Sequence, residues 1–189
     1  MTTAIQRLNE AARDSLTAHF LALPLKDRGL RFGTALAPTA IAAYVDRIDF
    51  RHDTVFGVRD ERRELVGAAH VAFDGDFAEV GLSVLPAHRC RGLGGALFQR
   101  AVAHARNRRI PRLVMNFLWG NAPIMRIARR FRMRIIASGH DANAQLELGP
   151  TSMTSLADEL VMDARAVYDR AWTACVSAWR RRRAATPAS

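Results

Sequence analysis

Small and basic residues crowd the run Val84-Leu-Pro-Ala-His-Arg-Cys-Arg-Gly-Leu-Gly-Gly-Ala-Leu-Phe98. Their types and order suit the binding of an anion. An apolar, strand-like run from Val80 to Leu85 meets Pro86, then an Arg- and Gly-rich turn, then a helical pattern with Leu97, Phe98, Ala101, Val102 and Ala105 on one face. The first N–H groups of such a helix have no internal partner, and the helix dipole favours negative charge beside them. Gly92, Gly94 and Gly95 lack a Cβ, so a phosphate could come close to the main chain. Arg89 and Arg91 could add charge-assisted contacts. Cys90, inside the same loop, reads as a loop filler rather than a nucleophile.

The spacing excludes two common phosphate loops. No Gly-Lys-Ser/Thr follows, and neither Gly-x-Gly-x-x-Gly nor an acidic residue at ribose distance is present. The pattern Arg89-x-x-Gly92-x-Gly94, after a strand and opening a helix, resembles the pyrophosphate loop of the GNAT N-acetyltransferase superfamily. Two further segments are similar to that family. Arg112 to Leu118 reads as a buried strand, followed by a helix from Asn121 to Met133 with Asn121 as cap and Pro123 in its first turn. Phe77 to Val84 reads as an alternating strand carrying Glu79. The resemblance covers roughly residues 28 to 148.

The resemblance implies an acyl-CoA-dependent N-acyltransferase moving an acetyl group from acetyl-CoA to a primary amine, small-molecule or peptide. It implies main-chain contacts from Leu82, Val84 and Leu85 to the pantetheine arm. Arg89, Cys90, Arg91, Gly92, Leu93, Gly94, Gly95 and Ala96 would hold the pyrophosphate, and Asn121 would orient the arm near the thioester. Glu79 would be the general base, although it reads equally as a solvated strand residue. Two positions depart from the family pattern. Ala128 stands where many members place the Tyr acid for the departing thiolate, and Arg132 stands where a Gly is usual. A thiolate leaves tolerably near neutral pH, so a missing acid costs rate rather than abolishing the reaction.

These residues need a scaffold. Ala4 to Phe20 has helical spacing, Leu30-Arg-Phe32 reads as a short strand, and Pro38 to Ile48 as a helix with Ile41, Tyr44, Val45 and Ile48 inward. Thr54 to Val58 and Glu64 to Phe73 read as an antiparallel hairpin, and an Asp-Gly signal after Phe73 leads into the Glu79 strand. Met133 to Ala137 and Ala144 to Leu148 complete the strands. The expected fold class is α/β (α+β), a mixed and mostly antiparallel sheet flanked by helices, as in the GNAT fold. Tyr44, Asp49, Asp53, His70 and Glu79 would line the acceptor side. Tyr44 and His70 are the substrate-binding candidates, and His70 also reads as a satisfied sheet-face residue. His88 would meet solvent beside the loop, and His140 and Asp141 would form a turn.

Residues 1–150 make one acetyltransferase domain on this reading, and residues 151–189 a helical extension with a disordered basic tail. Leu156 to Trp179 has an apolar stripe that would pack on its own domain or form a dimer contact. Formal net charge is +10. From Val80 to His140 the chain has twelve Arg and no Asp or Glu. Such a field gathers a polyanion, coenzyme A or nucleic acid. No helix-turn-helix, zinc-finger or RNP pattern supports nucleic acid. No apolar run is long enough for a membrane helix. Two cysteines without metal spacing suggest no metal site and a cytoplasmic compartment. A single lysine, Lys26, points to a G+C-rich bacterial genome.

Overall fold

The computed structural model describes residues 4–149. Seven strands form one sheet in the order β1-β2-β3-β4-β5-β7-β6. They are β1 (Ile5–Leu8), β2 (Thr54–Arg59), β3 (Leu65–Asp74), β4 (Phe77–Val84), β5 (Arg112–Leu118), β6 (Arg134–Ser138) and β7 (Asp141–Glu147). Every neighbouring pair is antiparallel except β4 with β5, which is parallel. Among the described residues, five α-helices cover the sheet: α1 (Arg13–Leu21), α2 (Leu25–Phe32), α3 (Pro38–Asp46), α4 (Leu93–Asn107) and α5 (Ala122–Arg130).

The sheet separates two cores. On one face Phe56, Val71, Val80 and Leu82 pack with Leu97, Phe98 and Ala101 of α4 and Met125 and Ala128 of α5. On the other, Val55, Leu65 and Ala68 pack with Leu16 and Phe20 of α1 and Ile41 and Val45 of α3. Alternate residues of one strand feed opposite cores, as a pleated strand requires. Thus Val55 belongs to the second cluster and Phe56 to the first. Arg13 braces the end of α3 by donating to the carbonyls of Val45, Asp46 and Ile48, at and just past the turn where helical carbonyls run out of internal partners.

From Thr54 onward the expected order of elements holds. The N-terminal part differs. Ile5 to Leu8 is a strand, because the backbone of β2 offers it a ladder from Ile5↔Val58 to Leu8↔Val55. The helix expected over Ala4 to Phe20 is therefore confined to α1, after a 3-10 turn at Glu10–Ala12. Leu30-Arg-Phe32 is the last turn of α2, not a strand. Pro24 has φ −54° at the start of that helix, and Gly33, with φ 79°, ends it in the left-handed conformation that favours glycine. Asp141 belongs to β7 rather than to a turn. The helix expected over Leu156 to Trp179 and the basic tail lie outside the described residues. Among the described residues, no helix is long and apolar enough to cross a membrane.

Candidate active site

Strands β4 and β5 run together and then part. Their parallel pairing covers only Phe77↔Arg112, Ala78↔Leu113 and Glu79↔Val114. Beyond Glu79 they diverge, and Val80, Gly81 and Leu82 face Met115, Asn116 and Phe117 across a cleft closed by Leu30, Arg31, Asn121 and Ile124. The alternation of an antiparallel ladder decides which groups of β4 look into that cleft. Leu85 N–H donates to Val66 O at 2.9 Å, so Leu85, Ser83 and Gly81 spend their main-chain groups on β3. Val80, Leu82 and Val84 turn theirs to the open edge. Leu82 and Val84 thus have main-chain groups on the cleft side, while the main chain of Leu85 faces β3 and is unavailable to a ligand in the cleft.

Past β4 a short 3-10 turn, Pro86–His88, delivers the chain to the glycine-rich loop. Cys90, exposed, has φ 59°, and Gly92 caps α4 with φ 79°. No side chain caps this helix and no acidic residue stands in its first turn. The first intrahelical bond is Ala96 N–H to Gly92 O, so the preceding N–H groups remain free for an anion. That open cradle at the end of the parted strands fits a pyrophosphate. Gly94 and Gly95 also meet a packing need. A Cβ on Gly94 would lie 3.3 Å from Ile127 Cδ1, and one on Gly95 would lie 3.4 Å from Arg130 Nη1, so their smallness lets α4 approach α5. The Arg89 guanidinium is also committed within the protein: Nε donates to Val84 O at 3.0 Å and Nη2 to Asp27 Oδ2 at 2.8 Å.

Asn121 caps α5 by accepting from Ile124 N–H at 3.3 Å, and its Nδ2 donates to Leu30 O, also at 3.3 Å. It is buried at the cleft. Ala128 is wholly buried in the core against α4, so this position supplies no proton.

On the other face of β4, Glu79, Gly81 and Ser83 point toward α1, α2 and α3. Glu79 is exposed at the fork of the two strands. His70, opposite Gly81, joins a chain of hydrogen bonds. Its Nε2 lies 2.9 Å from Asp53 Oδ2 and its Nδ1 2.7 Å from Tyr44 Oη. The carboxylate only accepts, so Nε2 carries the proton and Tyr44 donates to Nδ1. Arg31 Nη2 donates to Tyr44 Oη at 3.0 Å. Burial lowers the pKa of His70 against the opposing pull of Asp53, and Arg31 lowers it further, which keeps the imidazole neutral near pH 7. The structure therefore brings Tyr44, Asp53, His70 and Glu79 to one face. Asp49 instead binds its own turn through Arg51 N–H. Sequence reasoning missed Arg31. The signal was Gly81 in the middle of a strand, a position that marks close approach by another group.

The parted strands, the uncapped helix end and the polar face beside them lie together on one sheet. The model of the family described as "Acetyltransferase (GNAT) family" matches residues 25–131, and the chain belongs to that family. Solved structures agree on the fold. The GNAT domain of S. lividans PAT is 18% identical, with a TM-score of 0.66, covering 76% of this chain and 89% of its own. A GNAT superfamily phosphinothricin acetyltransferase from Sinorhizobium meliloti, solved with AcCoA, is 16% identical, with a TM-score of 0.64, covering 81% of this chain and 95% of its own. The ribosomal-protein-alanine N-acetyltransferase of Brucella melitensis is 18% identical, with a TM-score of 0.60, covering 76% and 99%. No curated protein matches the chain by sequence.

Proposed function

We propose that this member of the family transfers an acetyl group from acetyl-CoA to a primary amine. The observation that carries the reading is the fork of β4 and β5, with Glu79 at its apex and the uncapped N-terminus of α4 at its open end. Acetyl-CoA supplies an activated thioester carbonyl. The free N–H groups from Gly92 to Gly95 hold the pyrophosphate, with Arg91 and Cys90 on the exposed rim. Leu82 through its carbonyl and Val84 through its N–H pair with the pantetheine amides, Val84 O being held by Arg89, and Asn121 fixes the arm from the β5 side. Arg89 acts one step back, shaping the loop through Val84 and Asp27.

Glu79, directly or through a water, takes the proton that the amine must lose for its nitrogen to attack. As the carbonyl oxygen gains charge, Leu82 N–H donates to it. One such donor is worth on the order of 3 kcal/mol in comparable sites. The sulfur departs as thiolate, because Ala128 offers it no proton. The relatives named above act, by their names, on phosphinothricin and on a ribosomal protein's alanine. Family membership thus leaves the acceptor open.

A calorimetric titration with acetyl-CoA, followed by thiol release against a panel of primary amines, tests the reading. Saturable binding and amine-dependent release are expected. Binding without release would make the protein an acyl-CoA-binding module. The absence of binding would overturn the cofactor assignment altogether.

A further inference from the structure

Arg31 is built into the acceptor face without an anion to match it. Its guanidinium lies on β4 at Gly81, where a Cβ would collide with Cζ and both terminal nitrogens. Three rings surround it, with Cζ 5.8 Å from the centroid of Phe20, 4.8 Å from Phe32 and 5.8 Å from Tyr44. Nη2 is held by Tyr44, but the buried Nε–H has no acceptor. No carboxylate among the described residues pairs with it. Asp53, on the same face, is occupied by His70.

A half-buried cation without a counter-ion is costly, and so is a buried donor left unpaired. The same guanidinium repays both costs when a planar acid presents two oxygens to its fork. Its rotamer is already fixed by the chain Arg31–Tyr44–His70–Asp53, so little freedom is lost on binding.

Glu79 stands two residues from Gly81 on the same face of β4. Their Cα atoms are therefore roughly 6.6 Å apart. A negative group at the fork and a positive group beside it on the same strand face could meet the two ends of a small zwitterion. We infer that the acceptor is an amine carrying a nearby carboxylate, an α-amino acid or close analogue, and that Arg31 selects it by gripping the acid while Glu79 receives the amine. This rests on the acyltransferase reading above.

The test pairs α-amino acids with their α-carboxamides, which keep size and amine but lose the charge. Thiol release gives kcat/KM for each, and calorimetry gives the acetyl-CoA affinity of every variant. The wild type is expected to prefer acids over amides by tenfold or more. In Arg31→Gln the acid-to-amide ratio falls to about one, and in Arg31→Lys, which keeps the charge but not the fork, it falls part of the way. A wild-type ratio near one, transfer to none of the acid-bearing amines, or an equal loss on acids and amides in Arg31→Gln would overturn the inference. If Arg31→Gln does not fold, the wild-type ratio and Arg31→Lys decide. Any of these results with acetyl-CoA binding intact sinks the acceptor class alone. Loss of acetyl-CoA binding in the wild type sinks the acyltransferase reading itself.

Discussion

Arg89 of the glycine-rich loop and Asp27 of α2 meet at 2.8 Å, which ties α2 to the loop that opens α4. The same guanidinium closes Val84 O at 3.0 Å. A basic residue that the sequence assigns to a phosphate is thus a strut between two elements. Arg89→Ala should cost about 1–2 kcal/mol in urea denaturation, since it also leaves a carbonyl unpaired. Asp27→Ala should cost less than about 1 kcal/mol, because the pair is partly solvated. Asp27→Asn should leave the acetyl-CoA Kd within about twofold. A gain above tenfold would show that Asp27 and pyrophosphate compete for Arg89.

Glu79 sits at the last paired position of β4 and β5, where the proposed amine acceptor would meet the cleft. Replacing its carboxylate by an amide keeps shape and removes basicity. Glu79→Gln should lower kcat by about 100-fold or more, with the acetyl-CoA Kd unchanged and the pH profile of kcat altered in shape. An unaltered rate and profile would show that the base lies elsewhere.

The link from Tyr44 to His70 should give the proposed acceptor face a pH dependence. His70 accepts from Tyr44 only while neutral. Its pKa lies below the ordinary 6.5, chiefly through burial. As pH falls through that lowered value, Nδ1 gains a proton, the Tyr44 bond breaks and Arg31 loses its brace. The acceptor KM should therefore rise on the acid side while the acetyl-CoA Kd stays flat. Tyr44→Phe should raise the KM by about tenfold, the equivalent of one charge-assisted bond of about 1.4 kcal/mol, and should flatten its response to acid. A KM for Tyr44→Phe that follows the wild-type curve would refute the coupling.

The cofactor half of the site was legible because its signals are local. Gly92 ends a turn and opens a helix, and Asn121 with Pro123 punctuates the next one. Each feature is set by residues within one helical turn. The N-terminal half follows longer rules. β1 has four residues and becomes a strand only by pairing with β2, so that Ile5 meets Val58. α2 has only eight residues, buries none of them completely and carries Gly29 in its interior, so its sequence reads weakly as a helix. The acceptor face joins α2, α3, β3 and the loop before β2 through Arg31, Tyr44, His70 and Asp53. No spacing within one element encodes that meeting. The mid-strand Gly81 was its visible trace.

His19 carries the clearest stability prediction. It is buried between α1 and the sheet, with Nδ1 2.8 Å from Leu65 O and Nε2 2.8 Å from Ser83 Oγ. The carbonyl only accepts, so Nδ1 bears the proton and the Ser83 hydroxyl donates to Nε2. A second proton would turn the Ser83 hydroxyl into an acceptor and put a charge in the core, and that burial lowers the pKa from 6.5 to about 4. The unfolded chain takes up a proton as pH falls through 6.5, whereas the folded chain does so only near 4. Across that window the unfolded state binds more protons, so stability drops as pH drops. The loss approaches about 3 kcal/mol once pH reaches 4, and His70, shifted the same way, adds to it. Urea midpoints at pH 7.5, 6.0, 5.0 and 4.5 should decline steadily in the wild type. In His19→Gln the starting midpoint should be lower and the decline shallower, because the titrating group is gone. Parallel declines in the two proteins would mean that acid acts through other groups, and that the His19–Ser83 bond does not set the limit.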